Sequence, residues 1–271
     1  MSISLTGVSH LYRKGEPDET WALRDVSLSI IEKEFTVIAG RNGSGKSTLL
    51  HCTSGLMKPS KGKVVIDGMD AAASRSLIAL AVQFPERALF GHRLYDDVAF
   101  GLRNRGMDEG QIRCQVDRAV GTVGLDKELL EGSPRELSQG QKRLAAIAGI
   151  IVLGPKYLFL DEPTAGLDAS GRGRVLKILE QLNQAGTTII VASHDLTHIL
   201  GVSHRIIIMD GGGIAADCQP QELISLKCLE SMGLALPYQI KIARELWRRG
   251  VQVEGLSPEK LAEGIGRTCP K

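Results

Sequence analysis

The chain lacks any apolar run long enough to cross a membrane. Its 271 residues are 43% hydrophobic, but the best candidate, residues 147–153, falls far short of the ~20 residues that a membrane-spanning helix requires. The N-terminus has no basic segment followed by an apolar one, so we expect no secretory signal. Any membrane role is therefore expected to be peripheral and to run through partner proteins.

The chain also lacks a strong charge of either sign and a disulfide pattern. Its formal net charge is +2 and charged residues make up 24%. This balance argues neither for nor against nucleic acid, and without a dense basic run we expect no nucleic-acid partner. The cysteines contain no C-x-x-C pair, and their odd number fits no closed disulfide framework. Reduced thiols in the cytoplasm are the simpler interpretation of Cys52, Cys114, Cys218, Cys228 and Cys269.

No internal repeat or low-complexity linker divides the chain, which is long enough for one large core with an appendage. Residues 2–38 read as short strands with a turn near 14–17. Unbroken apolar runs of strand length indicate a parallel sheet covered on both faces; they lie at 35–39, 77–82, 157–160, 187–192 and 205–209.

Two stretches have helical character. Residues from about 92 to 152 are rich in helix formers and predict an inserted helical subdomain. Residues 238–249 have the periodicity of an amphipathic helix, with one apolar face made of Ile240, Ala243, Leu246 and Trp247.

Residues 40–47 read GRNGSGKS, a complete G-x-x-x-x-G-K-S phosphate-binding loop. An apolar strand runs into the loop and a helix is expected over 46–55, which is the context that the motif requires. The glycines let successive backbone N–H groups turn inward around an anion, and the helix adds the positive end of its dipole. We expect Lys46 to reach the β- and γ-phosphates and Ser47 to ligate Mg²⁺. A chance glycine-rich turn is the disfavoured alternative. The expected nucleotide contacts here are Gly40, Asn42, Gly43, Ser44, Gly45, Lys46, Ser47 and Thr48.

Two adjacent acidic residues follow the strand at 157–160. Asp161 stands at the carboxyl end of that strand, where open α/β sheets place their ligands, and its carboxylate suits Mg²⁺. Glu162 suits a general base for an attacking water, although it could instead cap or pair near a helix start. His194 follows the strand at 187–192 and is expected to face the γ-phosphate. Asp168, in the run AGLD (165–168), strengthens the pattern.

The sequence SQGQ (138–141) precedes a helical run at 142–152. Ser138 with Gln141 three residues later predicts a capping box. The same helix start, with Gly140 leaving its backbone bare, is suited to bind the γ-phosphate of a nucleotide. These two interpretations are compatible.

Together these residues resemble the ATP-binding cassette (ABC) family over at least residues 3–225. In that resemblance 40–47 is the Walker A motif, 137–141 the signature, 157–161 the Walker B strand, 165–168 the D-loop and His194 the switch histidine. Tyr12 occupies the place of an aromatic that stacks on adenine, with a plain strand-surface tyrosine as the alternative. Gln83 matches the Q-loop glutamine, a catalytic and Mg²⁺-binding position. Ser138, Gly140 and Gln141 are implied to bind ATP held by a second ABC ATPase chain, either a copy of this one or a related paralogue.

Within that family the chain is similar to the ATPases of energy-coupling-factor (ECF) importers, which include cobalt and nickel transport ATPases. The similarity rests on QFPERALF (83–90) and DVAFGLRN (97–104). The chain departs from those ATPases at Phe84 and Ala88, at Gln139 in place of a signature glycine, and at Lys33 in place of a turn glycine.

The resemblance implies an α/β P-loop NTPase core with an N-terminal antiparallel β subdomain, a helical signature subdomain at about 92–152 and a helical tail. We expect the ATPase domain over 1–225 and the tail over 226–271. The implied cofactors are ATP and Mg²⁺, and hydrolysis would drive micronutrient uptake, of a metal ion or a vitamin, at the cytoplasmic face of the membrane.

The implied membrane partners are a scaffold subunit, with a helix received in a groove after Gln83, and a substrate-binding subunit. Glu86, Asp96 and Asp97 are expected to make that groove acidic and suited to an arginine-bearing helix. A favourable helix N-terminus is the alternative for the two aspartates. The competing functions are a conventional ABC transporter ATPase, a soluble ABC protein of repair or translation, and a P-loop phosphotransferase.

Overall fold

The computed structural model describes residues 2–226, 234–251, 253, 255, 256 and 258–268. Its strands are β1 (Ser2–Tyr12), β2 (Thr20–Ile31), β3 (Phe35–Ala39), β4 (Lys61–Ile66), β5 (Met69–Asp70), β6 (Ile78–Ala81), β7 (Tyr157–Asp161), β8 (Thr188–Ser193), β9 (Arg205–Asp210) and β10 (Gly213–Cys218). Its helices are α1 (Lys46–Thr53), α2 (Leu94–Asn104), α3 (Glu109–Val123), α4 (Gln139–Ile151), α5 (Ala169–Gln184), α6 (Tyr238–Arg248) and α7 (Pro258–Thr268).

Six strands form the central sheet in the order β10-β9-β3-β8-β7-β6. All neighbouring pairs are parallel except β10 with β9, which is antiparallel. The unbroken apolar runs correspond to these strands, and β3, β7 and β8 are buried at every residue. The expected mainly parallel sheet is therefore confirmed.

Alternate residues of these strands face two different cores. Leu158 and Leu160 of β7 pack with the helices, while Tyr157 and Phe159 pack toward α1 and the second sheet. Because both faces are covered, the strands are mainly apolar, and Asp161 and Ser193 stand at the carboxyl ends of β7 and β8. Those ends are where chemistry-bearing side chains can emerge.

The N-terminal strands form a separate antiparallel sheet in the order β2-β1-β4-β5. Its first two strands span 11 and 12 residues, so they are longer than the short strands expected from the sequence. The turn between them falls around residues 13–19, as predicted. This sheet confirms the expected antiparallel subdomain and brings Tyr12 toward α1.

Helices α2, α3 and α4 follow β6 and precede β7 in the chain, and they pack against one another. They lie in the region where a helical insertion was predicted. Helix α2 buries Leu94, Val98 and Leu102, one residue per turn on a single face. The α/β class with its helical insertion is thus confirmed. The domain boundary at 225–226 adjoins residues outside the described ones and stays a prediction.

The tail helix α6 corrects one expectation. Ile240, Ala243 and Leu246 are buried, whereas Trp247 is 54% exposed. At about 100° per residue, Trp247 lies only about 20° around the helix from Ile240, on the expected face. Its exposure therefore reflects its place in the last turn of α6, which ends at Arg248, and not its angle. Among the described residues no helix combines the length and apolarity needed to cross a membrane.

Candidate nucleotide site

A strand–loop–helix unit forms the floor of the site. β3 ends at Ala39, α1 begins at Lys46, and the loop between them turns through Gly43 (φ 80°) and Gly45 (φ 104°). A side chain at Gly45 would collide with the Ala22 carbonyl. Only glycine satisfies both the left-handed backbone and the close approach of β2.

Two polar groups in this loop are suited to bind an anion. The Ser44 hydroxyl is buried and has no hydrogen-bond partner among the described residues. Lys46 Nζ donates to the carbonyls of Gly40 (2.8 Å) and Arg41 (3.1 Å). Burial lowers the pKa of the Lys46 ammonium, although the Glu162 and Asp161 carboxylates act in the opposite direction. A phosphate chain would supply the acceptors and the negative charge that this loop lacks, so the loop fits the nucleotide that its motif implies.

One cavity of about 370 Å³ collects most of the predicted site residues. The phosphate loop and residues at or just after the carboxyl ends of β7 and β8 line it. Predicted contacts on its wall are Tyr12, Asn42, Gly43, Gly45, Lys46, Ser47, Thr48, Gln83, Asp161, Glu162 and His194, joined by Ala22. Gly40 and Ser44 belong to the same loop without lining the cavity.

Glu162 is held rigidly at the edge of the sheet. It has a left-handed backbone (φ 49°), and its N–H donates to the Ala192 carbonyl at 2.9 Å. Its Oε1 accepts the His194 backbone N–H at 2.9 Å and lies 2.6 Å from His194 Nδ1. Because β7 and β8 are parallel neighbours, the residues that follow them meet here. Glu162 therefore pairs with His194 rather than capping a helix.

Tyr12 stands at the mouth of the cavity. Its hydroxyl lies 3.2 Å from Thr48 Oγ1, and the residue is 38% exposed. His10 contacts the ring edge-on at a centroid distance of 4.8 Å. One exposed aromatic ring beside a phosphate loop is suited to stack on a base, and this role stays a prediction.

The signature residues lie elsewhere. Ser138 accepts from Gln141 N (3.3 Å) and Gln141 Oε1 accepts from Ser138 N (2.9 Å), so the capping box at the start of α4 is confirmed. Ser138, Gly140 and Gln141 line a separate cleft of about 190 Å³ with Asp168 and the start of α5. These three residues therefore do not border a nucleotide bound in the first cavity of the same chain.

The oxygen-bearing residues Ser47, Asp161 and Gln83 share the nucleotide cavity. In the described part of the chain no cluster of three or more His, Cys, Asp or Glu side chains could hold a metal by itself. The oxygen donors of Ser47, Asp161 and Gln83 fit Mg²⁺, because this ion keeps several waters and takes phosphate oxygens as further ligands.

The acidic groove expected after Gln83 is not formed as predicted. Glu86 is 7% exposed and pairs with Arg143, so it does not face a partner. Asp97 accepts from Phe90 N and Gly91 N, and Asp96 pairs with Arg93 and Arg103. Both aspartates lie in the first turn of α2, which is the alternative stated for them. The surface there instead presents two exposed aromatic side chains, Phe90 and Phe100, in edge-on contact at 5.2 Å.

Sequence reasoning missed Arg143. It lies in α4, is 1% exposed, and donates to groups from two distant segments. The only signal in the sequence was that this arginine directly precedes the apolar stretch LAAIAG. A buried arginine requires a partner, and nothing in the sequence indicates which carboxylate that is.

Comparison with protein families places residues 23–165 in the ABC transporter family. Two curated relatives are energy-coupling factor transporter ATP-binding proteins named EcfA2. The one from Caldanaerobacter subterraneus is 41% identical, with 98% of this chain and 97% of the relative covered. The one from Symbiobacterium thermophilum is 38% identical, with 92% and 90% covered.

Solved structures give the same relationship. CbiO1 from Clostridium perfringens, described as part of the ABC transporter complex cbiONQ, superposes with a TM-score of 0.75 at 33% identity over 89% of this chain and 98% of that one. An ATP-binding cassette solved as a post-hydrolysis dimer with ADP and phosphate has a TM-score of 0.73 at 28% identity, covering 80% of this chain and 98% of that one.

Proposed function

This chain belongs to the ABC transporter family, and from that premise we propose that it is the ATP-hydrolysing subunit of an importer of the ECF type. The observation that carries the ATPase is the single cavity joining the phosphate loop to Asp161, Glu162 and His194. The similarity to EcfA2 proteins over nearly the whole chain carries the transporter type.

Binding of ATP follows from the loop geometry. Backbone N–H groups at 43–47, the Lys46 ammonium and the Ser44 hydroxyl supply donors to the phosphates, and Tyr12 stacks on the base. Phosphate oxygens would replace the two carbonyls to which Lys46 now donates. Mg²⁺, held by Ser47, Asp161 and Gln83, would neutralise charge that develops on the phosphates.

Hydrolysis requires a base beside the γ-phosphate. Glu162 accepts a proton from the attacking water, and His194 holds the carboxylate in place through two contacts to Oε1. Because Glu162 is buried against β8 and backbone-bonded on both sides, it is already oriented before substrate arrives.

A second cassette would complete the site. Ser138, Gly140 and Gln141 line a cleft of their own, so they are placed to serve a nucleotide held by another chain. The N-terminus of α4 presents free backbone donors there. We propose that the partner is a copy of this chain or a related ATPase, and that ATP between the two chains closes the dimer.

Closure of the dimer would be transmitted to membrane subunits bound to it. The EcfA2 relatives and CbiO1 are named as parts of transporters. The surface with exposed Phe90 and Phe100 offers an apolar seat for a scaffold subunit at the cytoplasmic face of the membrane. A substrate-binding membrane subunit would select the micronutrient, because the transported micronutrient does not enter the nucleotide cavity.

Glu162→Gln tests the catalytic proposal. The amide keeps the shape of the side chain and cannot accept the water proton, so we expect turnover to fall about 10²–10⁴-fold with Mg-ATP binding retained. ATPase rate and equilibrium ATP binding should be measured together. Glu128→Gln, on the exposed surface of the helical region, is the matched control. Turnover of Glu162→Gln near that of the control would remove the general-base assignment.

Co-purification from native membranes in mild detergent tests the transporter type. A scaffold subunit together with a small substrate-binding membrane protein is the expected result. A conventional permease pair would keep the ATPase and reject the ECF type, and recovery of soluble proteins alone would reject transport.

A further inference from the structure

A buried ion pair joins three segments around the catalytic residues. Arg143 Nε and Nη2 fork onto the two oxygens of Glu86 at 2.7 and 3.1 Å, with side chains only 1% and 4% exposed. The same guanidinium donates to the carbonyls of Pro163 (2.5 Å) and Ala165 (3.0 Å). One side chain of α4 therefore holds the segment after Gln83 and the segment directly after Glu162.

Gln139 adds the start of α4 to this arrangement. Its Nε2 donates to Glu86 Oε1 at 2.6 Å. Gln139 lies between Ser138 and Gly140, and it replaces a glycine that the resembling ATPases have at this signature position. A glycine has no side chain and could not make this bond, so the contact belongs to this chain's own sequence.

The connection from Gln83 to Glu86 is stiff. Phe84 has a left-handed backbone (φ 57°), Pro85 fixes its own φ, and the Phe84 ring lies 5.8 Å from the Arg143 guanidinium. A displacement of Gln83, which lines the nucleotide cavity, is thus transmitted to Glu86 rather than absorbed in a flexible loop.

We propose that Glu86, Gln139 and Arg143 form a clasp that makes the start of α4 move with the Gln83 segment. This inference rests on the proposed function: filling the chain's own cavity then presets the signature surface that it offers to a partner's nucleotide. The three are positioning residues, since none of them lines the nucleotide cavity or the signature cleft. They act through Gln83 and Ser138.

Hydrogen exchange on the full chain, with and without Mg-ADP, tests the clasp. ADP fills the cavity and has no γ-phosphate for a second chain's signature to bind. In the unmodified chain we expect Mg-ADP to slow exchange at residues 40–50 and also, several-fold, at residues 138–146. The second response would report the linkage directly.

Substitutions at Gln139 leave the Glu86–Arg143 pair intact and so spare the fold. Gln139→Glu keeps the size, removes the donor and places a second carboxylate beside Glu86, while an acidic residue remains favourable in the first helical turn. Gln139→Gly removes the side chain, and Gln139→Lys restores a donor. Gln111→Gly, at an exposed first-turn position of α3, is the matched control.

We expect the response at 138–146 to shrink in Gln139→Glu and Gln139→Gly, where Arg143 alone still joins α4 to Glu86, to recover in Gln139→Lys and to persist in full in Gln111→Gly, with 40–50 protected throughout. An equal response at 138–146 in Gln139→Glu and the unmodified chain would overturn the clasp. Protection confined to 40–50 in the unmodified chain would overturn it as well. Absence of protection at 40–50 would instead contradict the proposed nucleotide site.

Discussion

At the scale of single residues, the Arg143–Glu86 pair is a buried ion pair, and its loss has a direct consequence for stability. Arg143 makes its charged contacts in an environment from which water is excluded. Removing one partner of such a pair leaves an uncompensated buried charge, which costs far more than the pair itself contributes.

Arg143→Met is expected to lower the free energy of unfolding by about 3–5 kcal/mol, because Glu86 is then buried without its partner. Urea denaturation monitored by circular dichroism measures this. The double variant Arg143→Met, Glu86→Met should recover part of the loss, since it removes both charges. Arg118→Met, at an exposed position of α3, is the control and should change stability by less than about 0.5 kcal/mol. A loss in Arg143→Met as small as the control's would show that the pair carries no such penalty.

Two buried acids predict how stability depends on alkaline pH. Burial raises the pKa of the Cys52 thiol to about 11. Burial and the hydrogen bond to Asp67 raise the pKa of Tyr157 to about 12. In the unfolded chain these groups lose their protons at lower pH, so above about pH 9 the unfolded state binds fewer protons than the native state. Stability therefore falls as pH rises through this range.

Urea denaturation between about pH 8 and pH 11 checks this slope. Cys52→Ala should flatten the decline, although it lowers stability overall by opening a small cavity. Cys114→Ala, which removes an exposed thiol, is the control and should keep the full slope. An identical slope in the two variants would show that Cys52 makes no contribution to it.

At the scale of secondary structure elements, α6 is fastened by one arginine. Arg244 donates to the carbonyls of Leu223 (3.3 Å), Ile224 (2.8 Å) and Leu226 (2.5 Å). Gln239, at the start of α6, donates to the Thr197 carbonyl in the segment that follows His194. The tail is thereby attached to the body of the ATPase on both sides.

Arg244→Ala should loosen α6, because three carbonyls lose their donor and only the buried face and the Gln239 hydrogen bond still hold the helix. Limited proteolysis with a protease of broad specificity should cleave near residues 234–251 faster in this variant. Arg248→Ala, on the same helix, is the matched control, since Arg248 is 78% exposed and pairs only with Glu245 among the contacts described. Equal cleavage rates would mean that α6 is held by its apolar face.

The elements also show what local sequence determines. β3, β7 and β8 were predictable because strands buried on both faces read as nearly continuous apolar runs. The capping box at Ser138 was predictable because both partners lie within one turn. Glu86 was misread because its partner lies 57 residues further along the chain, and Trp247 because whether the last turn of a helix is covered depends on segments distant in the sequence. Contacts between distant segments leave no periodic pattern in the sequence.

At the scale of the whole molecule, the predicted nucleotide-binding residues and the predicted signature residues line two different cavities. Lys46, Asp161, Glu162 and His194 share one cavity, while Ser138 and Gly140 line another with Asp168. Two copies of the chain related by a twofold axis would place each signature over the other's cavity, and this C₂ symmetry would complete both sites at once. All parts of both half-sites are present in this one sequence.

We therefore expect the Glu162→Gln chain to form a dimer with Mg-ATP, because trapped γ-phosphate bridges the two chains while hydrolysis that would release them is slowed. Light scattering after size-exclusion chromatography should give twice the monomer mass with ATP and the monomer mass with ADP. Adding Ser138→Arg should abolish the dimer and leave ATP binding intact, since a bulky cation at the start of α4 blocks the signature surface without touching the chain's own cavity. A chain that binds ATP yet stays monomeric in the Glu162→Gln variant would exclude the self-pair and assign the second signature to a related ATPase.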